Sequence, residues 1–220
     1  MNLSRRLSVF LSFLALISLI GLVDSTAQEP GIPVAGEPRT LAVNPFTNQA
    51  LVVSVLPSRV NVLDLNTQTL LAQVPVGRVP AGAAILPKQN LAVVANSLDS
   101  TLSLIDLNTL QIQGTVRVGF GPRSVAIYDG PSPLAIVTHY LSRSVSVVDL
   151  AQKRLVQTIR VGNGPKDVAV DADLKLALVV NELDHDLSVI DLHSLQVTRR
   201  VPVGRFPRSV SINTETHLAA

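Results

Sequence analysis

Four basic residues recur at one position of this sequence. Arg39, Arg123, Lys166 and Arg208 each directly follow a proline, and Ala81 fills the remaining instance. Cations held at one repeated position can converge, and converging guanidinium and ammonium groups bind carboxylate, phosphate or a nucleic-acid backbone. Arg78 and Arg205, two residues before their own prolines, extend the set. The loops nearby carry Asp99, Glu182, Asp184 and Asp186. These offer the alternative of local ion pairs, which at a surface stabilise little. The four histidines, His139, His185, His193 and His217, are scattered. A metal needs three or four convergent ligands. There is no cysteine, so no disulfide framework, thiolate site, cysteine nucleophile or C-x-x-C-H haem attachment exists. Neither G-x-S-x-G nor H-E-x-x-H occurs. No catalytic residue, metal or cofactor is expected. Arg39, Arg123, Lys166 and Arg208 are the candidate ligand-binding residues.

The elements that must position them repeat. Pro38, Pro80, Pro122, Pro165 and Pro207 recur with a period of about 42 residues. Asp64, Asp106, Asp149 and Asp191 keep the same period. The interval from Pro122 to Pro165 and that from Asp106 to Asp149 are each one residue longer than the rest. A one-residue insertion therefore lies between Pro122 and Asp149, in the turn near Tyr128–Pro133. Each unit reads as four short Val-, Ile- and Leu-rich runs divided by turn residues. In the third unit these are PRSVAIY, LAIVTH, VSVVD and RLVQTIRV. Four strands in about 42 residues describe a β-propeller blade. The expected fold is therefore all-β, with four full blades (about 37–76, 80–118, 122–161 and 165–203) and a partial one at 207–220. The first strand of each blade lines a central channel, so the residues after the prolines should ring its mouth. Asp64, Asp106, Asp149 and Asp191 are expected to cap turn N–H groups, and Asn96 and Asn181 to bond nearby backbone. Gly77, Gly119, Gly162 and Gly204 are expected to supply positive φ between blades.

The segments NSLDSTLSLIDL (Asn96 to Leu107) and NELDHDLSVIDL (Asn181 to Leu192), each preceded by V-G-x-x-P and a strand, resemble the YVTN-repeat, YncE-like β-propeller family. The similarity covers about residues 32–220. It implies the propeller fold. Some YncE-like proteins bind DNA, which makes single-stranded nucleic acid one implied partner. Similar propellers also occur as domains of redox enzymes. The second strands lack the family's Tyr, and His139 and Ser54 replace its Asn.

Composition agrees with a β-protein and limits the partner. Hydrophobic residues make up 47% and aromatics 3%, with no Trp, so the core must be aliphatic. Few aromatics also count against base stacking on single strands. The net charge of +2 is too small to identify a partner by itself. At the N-terminus, Arg5 and Arg6 precede an apolar run from Leu7 to Val23, and Ser25-Thr26-Ala27 follows. That order is expected of a signal peptide over residues 1–27, and it implies a periplasmic or secreted protein with no stable membrane span after cleavage. An uncleaved anchor is the alternative, although the run is short of the roughly 20 residues of a span. Ile32-Pro33-Val34 matches the fourth-strand end Val74-Pro75-Val76, and the last unit stops inside its second strand. The strand count leads to the expectation of a piece of a ring of about six to eight blades. Three function classes stay open: a non-enzymatic module binding an anionic or protein partner, a domain of a periplasmic redox or other enzyme, and a surface-layer or adhesion array.

Overall fold

The structure is a computed structural model that describes residues 31–220. The expected signal peptide lies outside the described residues. The described chain is built of β-strands and tight turns, with one 3-10 turn at Pro87–Gln89. The first blade holds β1 (Pro38–Asn44), β2 (Gln49–Ser54), β3 (Arg59–Asp64) and β4 (Thr69–Pro75). The second holds β5 (Pro80–Leu86), β6 (Leu91–Asn96), β7 (Thr101–Asp106) and β8 (Gln111–Arg117). The third holds β9 (Pro122–Tyr128), β10 (Leu134–His139), β11 (Ser144–Asp149) and β12 (Arg154–Arg160). The fourth holds β13 (Pro165–Asp171), β14 (Leu176–Asn181), β15 (Asp186–Asp191) and β16 (Gln196–Pro202). A two-stranded sheet, β17 (Ile212–Asn213) and β18 (Leu218–Ala219), follows. Each full sheet is an antiparallel meander in sequence order. The turn between β9 and β10 is one residue longer than its counterparts, which places the insertion in the turn where the repeat locates it.

The sheets pack face to face, and first strands are neighbours from blade to blade. This explains why second strands read as unbroken apolar runs. QALVVS and LAVVAN are buried nearly throughout, because both of their faces meet another blade or a flanking segment. Between the first two blades, Leu51, Val53, Val60 and Val62 meet Ala92, Val94, Ile105 and Leu107. Leu102 and Leu104 meet Ala135 and Val137 across the next gap, and Ile136 and Val147 meet Val179 and Ile190 across the third. Each fully buried Val, Leu or Ile contributes about 1.5–3 kcal/mol. Fourth strands face solvent, and in the last three blades they are mostly polar, as RLVQTIR shows.

The repeated turn aspartates do what their sequence implies. Asp64 accepts hydrogen bonds from the N–H groups of Asn66 (2.7 Å) and Thr67 (3.2 Å), and Asp106 from Asn108 (2.8 Å) and Thr109 (3.3 Å). Asp191 accepts from His193 and Ser194, and Asp149 from Gln152. These donors hold the carboxyls of Asp64, Asp106 and Asp191 below the usual range.

Two expectations need correction. Asn96 and Asn181 do not bond backbone through their side chains. Asn96 Nδ2 donates to Ser103 Oγ (2.9 Å) and Thr101 Oγ1 (3.0 Å), and Asn181 Nδ2 to Ser188 Oγ (2.8 Å) and Asp186 Oδ1 (2.7 Å). The third blade substitutes His139, whose Nε2 lies 2.8 Å from Ser146 Oγ, and the first reverses the pair, with Asn61 Nδ2 donating to Ser54 Oγ (3.0 Å). Every full blade thus has one buried polar pair across its second and third strands. The second correction concerns Gly77, Gly119, Gly162 and Gly204, none of which has positive φ. Positive φ falls two residues later, at Val79, Gly121, Gly164 and Phe206. Gly77 and Gly162 are glycine for a steric reason. A Cβ on either would lie 2.6 Å from the Cγ of Asn96 or Asn181, the buried asparagine beneath it.

Candidate anion site at the channel mouth

A β-bulge builds the site. In the first blade Pro38 pairs with Ser54 and Thr40 with Val53, so Arg39 is an extra residue. Ala81 and Lys166 are extra residues in the same way in the second and fourth blades. In the third, the register shifts across Pro122–Val125, where Arg123 sits. A bulge re-aims the side chain of its extra residue at the end of a strand. Here it turns Arg39, Ala81, Arg123 and Lys166 toward the space between the first strands, and Arg208 reaches the same space from the irregular segment before β17. The result is a cavity of about 240 Å³ lined by Arg39, Arg123, Lys166 and Arg208 together with Gly82 and Asp167. All four sequence-predicted basic residues therefore come together.

They do not come together as four free charges. Lys166 makes an ion pair with Glu182, and the Nε of Arg208 lies 3.7 Å from the same carboxylate. Tyr140 donates its hydroxyl to Glu182 Oε2 (2.9 Å). These donors, Lys166 first, hold the Glu182 carboxyl below its usual range despite its burial, and the same hydrogen bond raises the Tyr140 phenol. The guanidinium of Arg123 stacks over the Tyr140 ring, 5.5 Å from its centroid. This is a cation–π contact. Arg39 and Arg123 make no ion pair among the described residues. Four cations thus meet two carboxylates, Glu182 and Asp167, and the mouth stays net positive.

Outside the cavity the expected local ion pairs form at three acids, two of which share one arginine. Asp99 pairs with Arg78 (2.6 Å), and Asp184 and Asp186 both pair with Arg200 (2.6 and 2.7 Å). Arg78 is thereby held outside the ring, and Arg205 is exposed without an ion pair among the described residues. Among the described residues, no group of three or more His, Cys, Asp or Glu side chains is placed to hold a metal ion. His139 is fully buried.

Two contributors, Asp167 and Tyr140, do not stand out in the sequence. Asp167 accepts from Ser124 Oγ (2.7 Å) on the preceding blade and from Ser209 Oγ (2.8 Å) and Val210 N–H (3.1 Å) on the following segment. It ties three consecutive inner segments together. Its signal is positional, since Ser124, Asp167 and Ser209 all stand two residues after their proline. Tyr140 and Glu182 likewise occupy one loop position in neighbouring blades, a single repeat apart.

Removing the internal counter-charge should strengthen anion binding. Glu182→Gln keeps oxygen and nitrogen atoms near Tyr140 and Lys166 but removes one negative charge beside the cavity. A unit charge a few ångströms away in a half-buried setting changes binding by about 1 kcal/mol, or about five-fold. A polyphosphate titration of both proteins at low salt checks this. Equal affinities would mean that the cavity is not where the anion sits.

No protein-family model matches the chain, and no curated protein matches it in sequence. Solved structures do match in shape. Hydrazine synthase from Kuenenia stuttgartiensis superposes with a TM-score of 0.75 at 19% identity, over 88% of this chain and 56% of that one. A functionally unknown protein from Desulfotomaculum acetoxidans superposes with a TM-score of 0.76 at 14% identity, over 84% of this chain and 62% of that one. The fold is a β-propeller. The chain spans less than two thirds of either matched chain, and at these identities the likeness concerns the fold alone.

Proposed function

We propose that this protein is an exported, non-enzymatic propeller module of the YVTN-repeat, YncE-like kind, which binds an anionic group of its partner at the channel mouth. The observation that carries the reading is the convergence of Arg39, Arg123, Lys166 and Arg208 on one cavity. The repeated N-x-L-D-x-x-L-S-x-I-D segments support the family placement. The basic, apolar and small-residue order of residues 5–27 supports a periplasmic or secreted location. Because Glu182 already engages Lys166, Arg39 and Arg123 supply the charge that a ligand meets. The test is retention of the full chain on phosphocellulose and its binding to a short single-stranded oligonucleotide over a salt series. Arg39→Ala combined with Arg123→Ala should weaken both by about 30-fold, at about 1 kcal/mol for each charged hydrogen bond removed. Unchanged binding would sink the reading.

A second reading is a propeller domain of an enzyme. It is favoured by the likeness to a hydrazine synthase chain, 56% of which is covered. A cofactor absorption band in protein isolated from its native source would support it. Protein transparent above the aromatic band would count against it.

A further inference from the structure

The rim that carries the channel mouth also carries a repeated apolar feature. Leu56, Leu98, Leu141 and Leu183 stand at one position of successive blades, each in the loop from the second strand to the third. Their exposures are 62%, 54%, 69% and 53%. Phe120 (58%) and Phe206 (57%) in the inter-blade connections add to them. Backbone hydrogen bonds fasten these loops to those connections: Leu98 N–H donates to Arg78 O (3.2 Å), and Leu183 N–H to Asn163 O (3.2 Å). The apolar tips are therefore held on a firm rim. A leucine more than half exposed adds little to the core, so four at one register position ask for another reason. The opposite rim provides the contrast. Of its repeated leucines, Leu107, Leu150 and Leu192 are buried at 1%, 3% and 7% and Leu65 is half-buried, while its exposed apolar side chains, Phe46 and Leu174, stand at different loop positions and do not repeat.

Charge on the leucine rim is one-sided. Asp99, Glu182, Asp184 and Asp186 are all engaged by Arg or Lys. Of the carboxylates in these loops and connections, Glu37 alone stands outside an ion pair among the described residues. Arg39, Arg123, Arg143 and Arg205 stand outside ion pairs among the described residues too and leave the rim positive. Two copies meeting rim to rim would set these cations against each other. A folded protein partner would need a separate pocket for each of four dispersed tips. A lipid interface accepts each tip independently, while its phosphates meet the arginines.

We propose that this rim is a peripheral membrane-docking surface for anionic phospholipid, in which the loop leucines enter the headgroup–acyl boundary and the unpaired arginines contact phosphates. The leucine tips lie outside the cavity, so loss of vesicle binding on their removal is separable from loss of anion binding at the channel mouth.

The chain has no tryptophan, so a single one is a clean reporter. Leu141→Trp places it on the docking rim. Leu174→Trp places it at an exposed site on the opposite rim. Both variants are made in the full chain, so any contribution of residues 7–23 is common to both. They are mixed with vesicles of phosphatidylglycerol and phosphatidylcholine in equal parts, the latter with brominated tails. The expected result is a blue shift and quenching at position 141 and neither at 174. Quenching at neither position, as a rim serving a protein partner predicts, overturns the proposal. So does equal quenching at both. The triple change Leu98→Ser, Leu141→Ser and Leu183→Ser should lower co-sedimentation with these vesicles by about ten-fold. Its substitutions are at exposed sites, and an unchanged melting temperature will show that it folds. Undiminished co-sedimentation of that variant, or equal binding of the wild type to phosphatidylcholine alone, also overturns the proposal.

Discussion

Gly82→Ala is expected to destabilise the protein by about 3 kcal/mol and to weaken anion retention with it. Gly82 lies on β5, where the innermost strands of the second and third blades approach each other. A Cβ there would strike the carbonyl oxygen of Arg123 and lie 3.0 Å from the Cα of Ser124. Both are backbone atoms of the neighbouring blade, so no rotamer change relieves the clash. The strands must separate, and separation loosens the inter-blade core and moves the bulge that aims Arg123. Overpacking ordinarily costs about 1–3 kcal/mol, and the backbone partner places this case at the upper end. Gly121→Ala is the control. Its Cβ would meet nothing within 4 Å, so only its left-handed φ of +64° opposes substitution. That conformation costs a residue with a Cβ about 1 kcal/mol. Urea unfolding of both variants, beside phosphocellulose retention, checks the pair. A loss of stability for Gly82→Ala below that of the control would mean that the first strands do not define the channel.

The repeat made the blades legible, because a period shared by prolines and aspartates needs only counting. The turn caps followed from it, since Asp at the end of a third strand bonds N–H groups two and three residues on. The set Arg39, Arg123, Lys166 and Arg208 was legible for the same reason. Equivalent positions in repeated units must share a rim. What stayed hidden depends on register between strands and between blades. The bulge that aims the cations cannot be seen without knowing that Pro38 pairs with Ser54 while Thr40 pairs with Val53. The Lys166–Glu182 ion pair joins the first strand of a blade to the loop after its second strand, and the Tyr140–Glu182 bond joins two blades. Glycines mislead because their usual role in turns is conformational. At Gly77 and Gly162 the demand is space above a buried asparagine, which only tertiary structure supplies. The exposed leucines are visible in NSLDST and NELDHD, but only their exposure distinguishes them from the equally regular buried leucines Leu107, Leu150 and Leu192.

His139 should make the protein sensitive to mild acid, and His139→Asn should remove that sensitivity. The side chain is fully buried between β10 and the loop before β9, with Nε2 on Ser146 Oγ and Nδ1 without a well-formed hydrogen bond. Burial pushes its pKa down to about 4 from an ordinary 6.5, and the nearby Phe120 backbone opposes this only in part. The folded protein thus holds it neutral where the unfolded chain takes up a proton. Stability from the neutral imidazole is complete above pH 6.5 and is lost as the pH falls toward about 4. By about pH 5 the loss amounts to about 2 kcal/mol. The carboxylates act lower. Asp184, held at about 2 by the Asn163 N–H and then by Arg200, contributes stability present above 3.8 and lost only as the pH falls toward about 2. Asparagine is the natural replacement, because Asn96 and Asn181 occupy the same position and donate to the equivalent serines. It has no titratable group in this range. Urea unfolding at about pH 7.5 and about pH 5 should therefore show wild type losing about 2 kcal/mol between them and the variant losing almost none of it. The difference between the two pH values is the readout, so any packing cost of the smaller side chain, present at both, cancels. An equal loss in both proteins would assign the acid response to another group and would mean that His139 is charged inside the fold.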